Sequence, residues 1–239
     1  IKVFVSIYLI VSIFSVVQSI FGVGLLLFGT PTLLLIGYSY SETLWILLPC
    51  SVVISLIQTV NNYNLINVKS RVAYFSIPAM VLSLTFVVLY DSMIDVGRIV
   101  GVFLLLIGVV KFSPKLQEYL RIFLEKQSQL YYVFIGLVHG ISNMGGGPLS
   151  ILISTIYTDQ IKIRANIAFA YLILALFQLI VLLAINTDGL KYTSITLMLT
   201  SLSIYLITIK YFSDKVDNEK YISLINVIII IYGVLSLIK

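Results

Sequence analysis

The chain has 239 residues, of which 60% are hydrophobic and 10% are charged, and its formal net charge is +5. No water-soluble fold of this size could hide so much apolar surface, so the composition indicates an integral membrane protein. Apolar runs of about 17 to 25 residues predict α-helical spans, because the strands of a membrane barrel are shorter and alternate in polarity. The single Cys50 excludes an intramolecular disulfide and a cysteine-based metal cluster. We interpret the positive charge as an orientation signal of a protein in the lipid bilayer, with no nucleic-acid partner.

The first apolar run, residues 3–36, is too long for one span and is interrupted at Gly22-Val23-Gly24, with Pro31 shortly after. Glycine and proline both disfavour continued helix. We therefore predict a broken helix here. Three ordinary spans are expected to follow, at residues 43–60, 73–90 and 96–110.

Residues 111–128 depart from the apolar pattern. Pro114 ends the preceding span, and apolar positions then recur on one helical face opposite charged positions. This pattern predicts an amphipathic helix that lies on the membrane surface and links two halves of the chain. The apolar positions are Leu116, Tyr119, Leu120, Phe123 and Leu124.

A second apolar run, residues 132–158, is interrupted at residues 142–148, which include three glycines and Pro148. Irregular backbone at membrane depth is tolerated only where protein buries it or a watery cavity solvates it. Because proline suits the first turn of a helix, Pro148 is expected to start the second arm and to leave the amides of Leu149 and Ser150 free, as an anion site requires. A plain kink in a long span is the alternative. Spans are then expected at residues 163–185, 192–209 and 221–238.

The two breaks match each other. Residues 19–24 and 142–147 both read as serine, any residue, large apolar residue, glycine, any residue, glycine, at an offset of 123 residues. Gln58 and Gln178 match at an offset of 120 residues. The chain therefore divides into a first repeat at residues 1–110, a linker at residues 111–128 and a second repeat at residues 129–239. Such internal symmetry is typical of secondary transporters.

The positions of lysine and arginine indicate whether each broken segment crosses the membrane once or folds back. If each crosses once, the 15 positive residues divide as nine against six; if each is a re-entrant hairpin, they divide as 11 against four. The positive-inside rule prefers the second arrangement, which inverts one half relative to the other and leaves both termini outside. The predicted fold is an all-α polytopic membrane protein of two inverted repeats, each a broken re-entrant helical hairpin followed by three transmembrane helices.

This arrangement resembles the TauE/SafE family of sulfite exporters over nearly the whole chain. The residues that carry the resemblance are Gly22-Val23-Gly24 with Pro31 in the first half and Met144-Gly145-Gly146-Gly147-Pro148-Leu149 in the second. The chain departs from the family pattern by having only two of the glycines in the first half and Leu152 where a proline is usual. The resemblance implies a cytoplasmic-membrane protein that exports sulfite, sulfoacetate or a related organosulfur anion, coupled to protons. It does not fix the substrate.

If the halves are inverted copies, the glycine tips are expected to meet near the middle of the bilayer, where both second arms start. Each helix start offers unpaired amides and about half a positive charge, so an oxyanion can be held without a buried lysine or arginine. Serines inside spans more often bond neighbouring helices, whereas the bulkier glutamines favour a binding role. The candidate substrate-binding residues are Ser19, Gly22, Gly24, Gln58, Ser142, Asn143, Gly145, Gly146, Gly147 and Gln178.

Ionisable side chains are scarce in the predicted spans. His139 is the one expected to lie deep, and an intramembrane histidine is a default candidate for a proton relay. A neutral ring bonded to a carbonyl that the hairpin leaves free is an equal alternative. Glu42, Arg98, Lys162 and Arg164 stand at span ends, where snorkelling explains them, although Arg164 could attract an anion at the inner mouth.

Other classes of function stay open at this stage. An anion channel would use the same glycine tips, and uptake of a sulfur oxyanion would reverse the direction of transport. An enzyme is disfavoured because the spans contain no carboxylate pair and no second histidine, so we expect no catalytic residue, metal or cofactor. The identity of the anion, the coupling stoichiometry and the oligomeric state are not determined by the sequence.

Overall fold

A computed structural model describes residues 2–90, 93–185, 191–212 and 230–238, and all the regular structure in these residues is helical. Residues 230–238 form a further helical segment after the numbered helices. A 3₁₀ turn, Tyr63–Leu65, precedes the short helix Lys69–Arg71, and a π-helical turn, Val72–Ser76, joins that helix to the helix Ile77–Leu89 without interruption. The helices are α1 (Lys2–Phe21), α2 (Leu25–Ile36), α3 (Tyr40–Asn61), α4 (Lys69–Arg71), α5 (Ile77–Leu89), α6 (Val96–Phe112), α7 (Pro114–Ser142), α8 (Gly146–Ile156), α9 (Gln160–Ile185) and α10 (Tyr192–Phe212).

Local sequence explains several of the helix ends. Ser39 and Glu42 form a reciprocal capping box at the start of α3, with bonds of 3.2 Å from Glu42 N to Ser39 Oγ and 3.0 Å from Ser39 N to Glu42 Oε2. Asp95 caps α6 by accepting from Arg98 N at 3.1 Å. Gly37 ends α2 in the left-handed region, at φ 108°. The positions at which these helices begin and end therefore follow from the residues at their ends.

Four helical stretches of the described chain are long and apolar enough to cross a membrane, which makes this a multi-pass membrane protein. A fifth is added if the bent pair Val96–Phe112 and Pro114–Leu124 is counted as one span. The four stretches are Tyr40–Asn61, Lys69–Leu89, Gln160–Ile185 and Thr193–Tyr211. They agree with the spans expected at residues 43–60, 73–90, 163–185 and 192–209. Of the last expected span, residues 221–238, the structure describes the second half, residues 230–238, as helix, and the first half lies outside the described residues.

Helices α3 and α9 pack against each other at the centre of the molecule and are the most buried spans. Each carries a broken helix pair on one side, because α2 packs on α3 and α8 packs on α9. Helix α10 packs on α1 and α3, while α5 packs on α7 and α9. The outward faces of α5 and α10 expose large apolar side chains such as Leu82 and Leu206, as expected for surfaces that contact lipid.

The helix axis turns by 100° between α6 and the first part of α7. Ser113 caps the new helix by accepting from Leu116 N at 3.4 Å, and Pro114 occupies its first position. A second change of direction follows at Gln127, whose backbone is non-helical. The segment between these two points leaves Tyr119 and Phe123 of its predicted apolar face uncovered by protein.

Candidate functional site

The first break lies between α1 and α2, as the sequence predicts. Gly22 takes the left-handed conformation at φ 73°, and its amide closes α1 by donating to Gln18 O at 2.8 Å. Helix α2 then runs back along α1, since the rings of Phe14 and Phe28 are stacked with centroids 5.8 Å apart. In a continuous helix these residues would be about 21 Å apart along the axis.

The start of α2 is buried and its first amides are unpaired. The first bond of the helix runs from Phe28 N to Gly24 O, at 2.8 Å. In the described part of the chain, no acceptor is paired with the amides of Leu25, Leu26 and Leu27, and all three residues are buried. A buried helix start without capping partners is unusual, and it is the arrangement that attracts an anion.

The second break lies between α7 and α8. Asn143 is left-handed at φ 62° and closes α7 by donating its amide to His139 O at 2.9 Å. Helix α8 begins at Gly146, two residues before the predicted start at Pro148. It also runs back along its partner, since Tyr131 Oη donates to Pro148 O at 3.2 Å across 17 residues.

The prediction that the amide of Leu149 is free is wrong. Leu149 N donates to Gly145 O at 3.0 Å, because the helix already includes Gly146 and Gly147. At the second break, the amides for which the described residues provide no acceptor are instead those of Gly145 and Gly146. The unpaired donors therefore lie on the glycines themselves.

Close packing explains why glycine occupies all three of these positions. A Cβ on Gly145 would lie 2.9 Å from Ile135 O and 2.6 Å from the Cβ of His139. A Cβ on Gly146 would overlap the hydroxyl of Tyr171, and one on Gly147 would overlap the Ile107 side chain. The glycines thus let α8 approach its neighbours.

The polar side chains at the first break bond to the end of α1. Ser19 Oγ donates to Ser15 O at 2.6 Å. Gln58 Nε2, from α3, donates to Gln18 O at 3.4 Å and to Ser19 O at 3.3 Å. Gln18 itself is fully buried and its Nε2 donates to Ser51 Oγ at 3.1 Å. The sequence singled out Ser19 and Gln58 but missed Gln18.

The second break has matching contacts. Ser142 Oγ donates to Val138 O at 2.7 Å. Gln178 Nε2, from α9, lies 3.4 Å from His139 O and 3.5 Å from Asn143 Oδ1. Asn143 Nδ2 donates to Thr30 Oγ1 of α2 at 2.9 Å, so one side chain joins the two breaks. The hydroxyls of Ser19 and Ser142 and the amide of Asn143 already have acceptors within the protein.

His139 is fully buried beside Tyr171, with ring centroids 5.8 Å apart in an edge-to-face arrangement. Neither ring nitrogen of His139 has a hydrogen-bond partner in the described chain, and neither does Tyr171 Oη. Tyr171 was not among the predicted site residues. Its position seven residues before Gln178, two turns away on the same face of α9, was the signal that could have identified it.

Arg164 belongs to the first break as well as to the start of α9. Its Nη1 donates to Ile20 O at 3.3 Å, and its backbone carbonyl would lie 3.5 Å from a Cβ on Gly22. The side chain is half-buried. A guanidinium therefore lies next to the end of α1 and adds positive charge near the amides of α2.

A cavity of about 340 Å³ lies at the far end of α2, away from both breaks. Tyr38, Ser39, Asp95 and Ser236 are among its lining residues. In the described ranges, no group of three or more histidine, cysteine, aspartate or glutamate side chains is arranged to hold a metal ion.

Comparison with known proteins identifies one family. A family model described as "Sulfite exporter TauE/SafE" matches residues 7–237. No curated protein and no solved structure matches the chain significantly. The match covers both breaks, the linker, all of α2 to α10 and all but the first residues of α1.

Proposed function

This chain belongs to the sulfite exporter TauE/SafE family, and from that premise we propose that it exports sulfite or a related small organosulfur anion across the cytoplasmic membrane, coupled to the proton gradient. The family consists of transporters and not enzymes. The resemblance found in the sequence is confirmed by the family match.

We propose that the anion is held between the two breaks. The observation that carries this proposal is that α2 and α8 both start inside the protein with unpaired amides: those of Leu25, Leu26 and Leu27 at one break, and those of Gly145 and Gly146 at the other. Each start contributes about half a positive charge, which favours an anion over a neutral ligand. The bond from Asn143 to Thr30 supports a common site, because it holds the two breaks together.

The candidate residues divide between two sides of this site. The candidate residues at the first break are Ser19, Gly22, Gly24 and Gln58. The candidate residues at the second break are Ser142, Asn143, Gly145, Gly146, Gly147 and Gln178. A transported anion must also dissociate from its site. Hydrogen bonds from neutral amides are weaker than an ion pair with a charged side chain, so they allow faster release.

Matched contacts support the proposal that residues 1–110 and 129–239 are inverted repeats with re-entrant hairpins. Helix α1 contacts α10 as α7 contacts α5, and α2 contacts α3 as α8 contacts α9. Gln58 and Gln178 each bond to carbonyls at the end of the preceding broken helix. Two separate segments of unrelated origin would not be expected to repeat both the packing and the hydrogen bonds.

The linker at residues 111–128 is proposed to lie on the membrane surface. Its 100° turn from α6 and its uncovered apolar face, with Tyr119 and Phe123, support this placement. An amphipathic helix gains stability by burying such a face at the lipid interface.

Proton coupling is proposed to involve His139. It is a buried titratable side chain near the second break, and its nitrogens have no partner within the described residues. A neutral imidazole has one donor and one acceptor, so it can pass a proton between a ligand and a water chain.

The test of the proposed function is sulfite flux in proteoliposomes with an imposed pH gradient. The wild-type protein should accumulate sulfite against its gradient only when the pH difference is present. Gly146→Leu should abolish flux, because its side chain displaces Tyr171 and occupies the start of α8. Leu137→Ala, on the outer face of α7, is the control and should retain flux.

Two results would contradict the proposal. If Gly146→Leu elutes as a monodisperse protein and transports at the wild-type rate, the anion does not use this break. If flux is unaffected when the pH gradient is collapsed and gives currents far above transporter turnover, the protein is an anion channel.

A further inference from the structure

The second break contains unpaired acceptors as well as unpaired donors. The donors are the amides of Gly145 and Gly146 and the hydroxyl of Tyr171, which lies directly against Gly146. One acceptor is Gln178 Oε1, which is fully buried and has no partner in the described part of the chain. The unprotonated nitrogen of the neutral His139 ring, which lies beside Gly145, is a second. Leaving a buried polar atom unpaired costs stability, so such a set of donors and acceptors is suited to bind a polar ligand or an ordered water.

The orientation of the Gln178 amide is fixed by its surroundings. Its Nε2 faces two oxygen atoms, His139 O at 3.4 Å and Asn143 Oδ1 at 3.5 Å. Exchanging nitrogen and oxygen would place Oε1 against both of these acceptors, which is unfavourable. Gln178 Oε1 is therefore the free end of the amide.

We propose that the second break selects a singly charged sulfur oxyanion that carries one hydrogen-bond donor. This inference rests on the proposed function, since it concerns the same transported anion. The oxyanion accepts from the amides of Gly145 and Gly146 and from Tyr171 Oη, and its own hydroxyl donates to Gln178 Oε1. Hydrogen sulfite has this chemistry, whereas fully deprotonated sulfite does not.

The charges of the site point in the same direction. The start of α8 supplies about half a positive charge, which suits one negative charge better than two. A carbonyl oxygen such as Gln178 Oε1 repels an anion that has no proton to donate. Tyr171 contributes a donor without adding charge. The second break thus discriminates by protonation state, while Arg164 adds its positive charge at the first break.

Two sulfonates test this proposal without changing the pH. Isethionate and ethanesulfonate are both singly charged, and they differ in one hydroxyl group. Binding of each, of sulfite and of sulfate should be measured by titration calorimetry on the purified full chain in detergent. Isethionate should bind about tenfold more tightly than ethanesulfonate, the ratio that follows from about 1.4 kcal/mol for one buried bond. Sulfate, a dianion, should bind more weakly than isethionate.

Variants assign the preference to particular atoms. Gln178→Met should reduce the ratio of the two sulfonate affinities to about one, since it removes the acceptor. Tyr171→Phe should weaken both sulfonates by a similar factor, since it removes a donor to the shared sulfonate group. Gln117→Met makes the same replacement on the exposed linker, away from both breaks, and should leave the ratio near ten, which makes it the matched control.

The outcomes separate this inference from the proposed function. Equal affinity for the two sulfonates in the wild-type protein would overturn it, and so would binding of sulfite without binding of isethionate. A preference that survives in Gln178→Met would overturn the assignment of the acceptor. If neither sulfite nor any sulfonate binds, the proposed function fails. If a variant does not fold, the comparison of isethionate and ethanesulfonate binding to the wild-type protein still tests the inference.

Discussion

Asn143 joins the two breaks, and replacing it separates two contributions to stability. Its backbone is left-handed at φ 62°, and its side chain donates to Thr30 Oγ1 at 2.9 Å from a fully buried position. Asn143→Gly removes the side chain but tolerates the backbone conformation. Asn143→Ala removes the side chain and also adds strain.

The two variants should differ in how far they lower the free energy of unfolding. A hydrogen bond between membrane helices is worth about 0.6 to 1.7 kcal/mol, so Asn143→Gly should lower the free energy of unfolding by about 1 kcal/mol. A left-handed alanine costs about 1 to 2 kcal/mol more. Asn143→Ala should therefore lower the free energy of unfolding by about 2 to 3 kcal/mol.

The assay is SDS-induced unfolding of the purified protein in mixed micelles, followed by circular dichroism. A double-mutant cycle with Thr30→Val isolates the bond, and its coupling energy should be about 0.6 to 1.7 kcal/mol. An alanine variant as stable as the glycine variant would refute the backbone argument. A coupling energy of zero would refute the bond between the breaks.

Three further predictions follow from described contacts. Gly24→Ala should lower the free energy of unfolding by about 1 to 3 kcal/mol, because the added Cβ would lie 2.7 Å from Val17 Cγ1. The same SDS titration measures this loss, and an unchanged midpoint would contradict the close approach of α1 and α2. Asp95→Ala should lower the free energy of unfolding by about 1 kcal/mol, because it removes the cap on α6. Arg98→Ala removes only the exposed 3.0 Å ion pair and should lower it by less than about 0.5 kcal/mol in the same SDS titration, and equal losses would contradict this difference. His139→Ala should bind sulfite in calorimetry but no longer accumulate it in response to a pH gradient, and gradient-driven accumulation at the wild-type rate would remove His139 from the coupling path.

Sequence reasoning located the breaks because their cause is local. Glycine and proline stop helices wherever they occur, so the end of α1 at Phe21 and the restart at Leu25 follow from Gly22-Val23-Gly24. The repeat offset also placed Gln58 and Gln178 at equivalent helix ends, because side chains at equal distances along similar helices reach similar points. The start of α8 was misplaced by two residues, since glycine can begin a helix when packing demands it.

The remaining site residues could not be predicted because their roles depend on contacts between distant segments. Gln18 looks like an isolated polar residue in an apolar run until Ser51 is brought against it by the packing of α1 on α3. Tyr171 looks like one of 16 tyrosines until its hydroxyl is found against Gly146. Arg164 stands four residues into α9 and acquires its partner, Ile20 O, from the opposite half. Periodicity identifies a face but not its neighbour.

The packing of α1 on α10 and of α7 on α5 has a consequence for synthesis. One face of α1 is covered by α10, which belongs to the second half of the chain. The hydroxyl of Tyr8 on this face lies 2.5 Å from Thr196 Oγ1. A nascent chain that has inserted its first half therefore keeps an unfinished surface in the bilayer while the second half is made. Two fragments cut within the linker would each lack the helix that covers its broken segment, and they would fold only as a co-expressed pair.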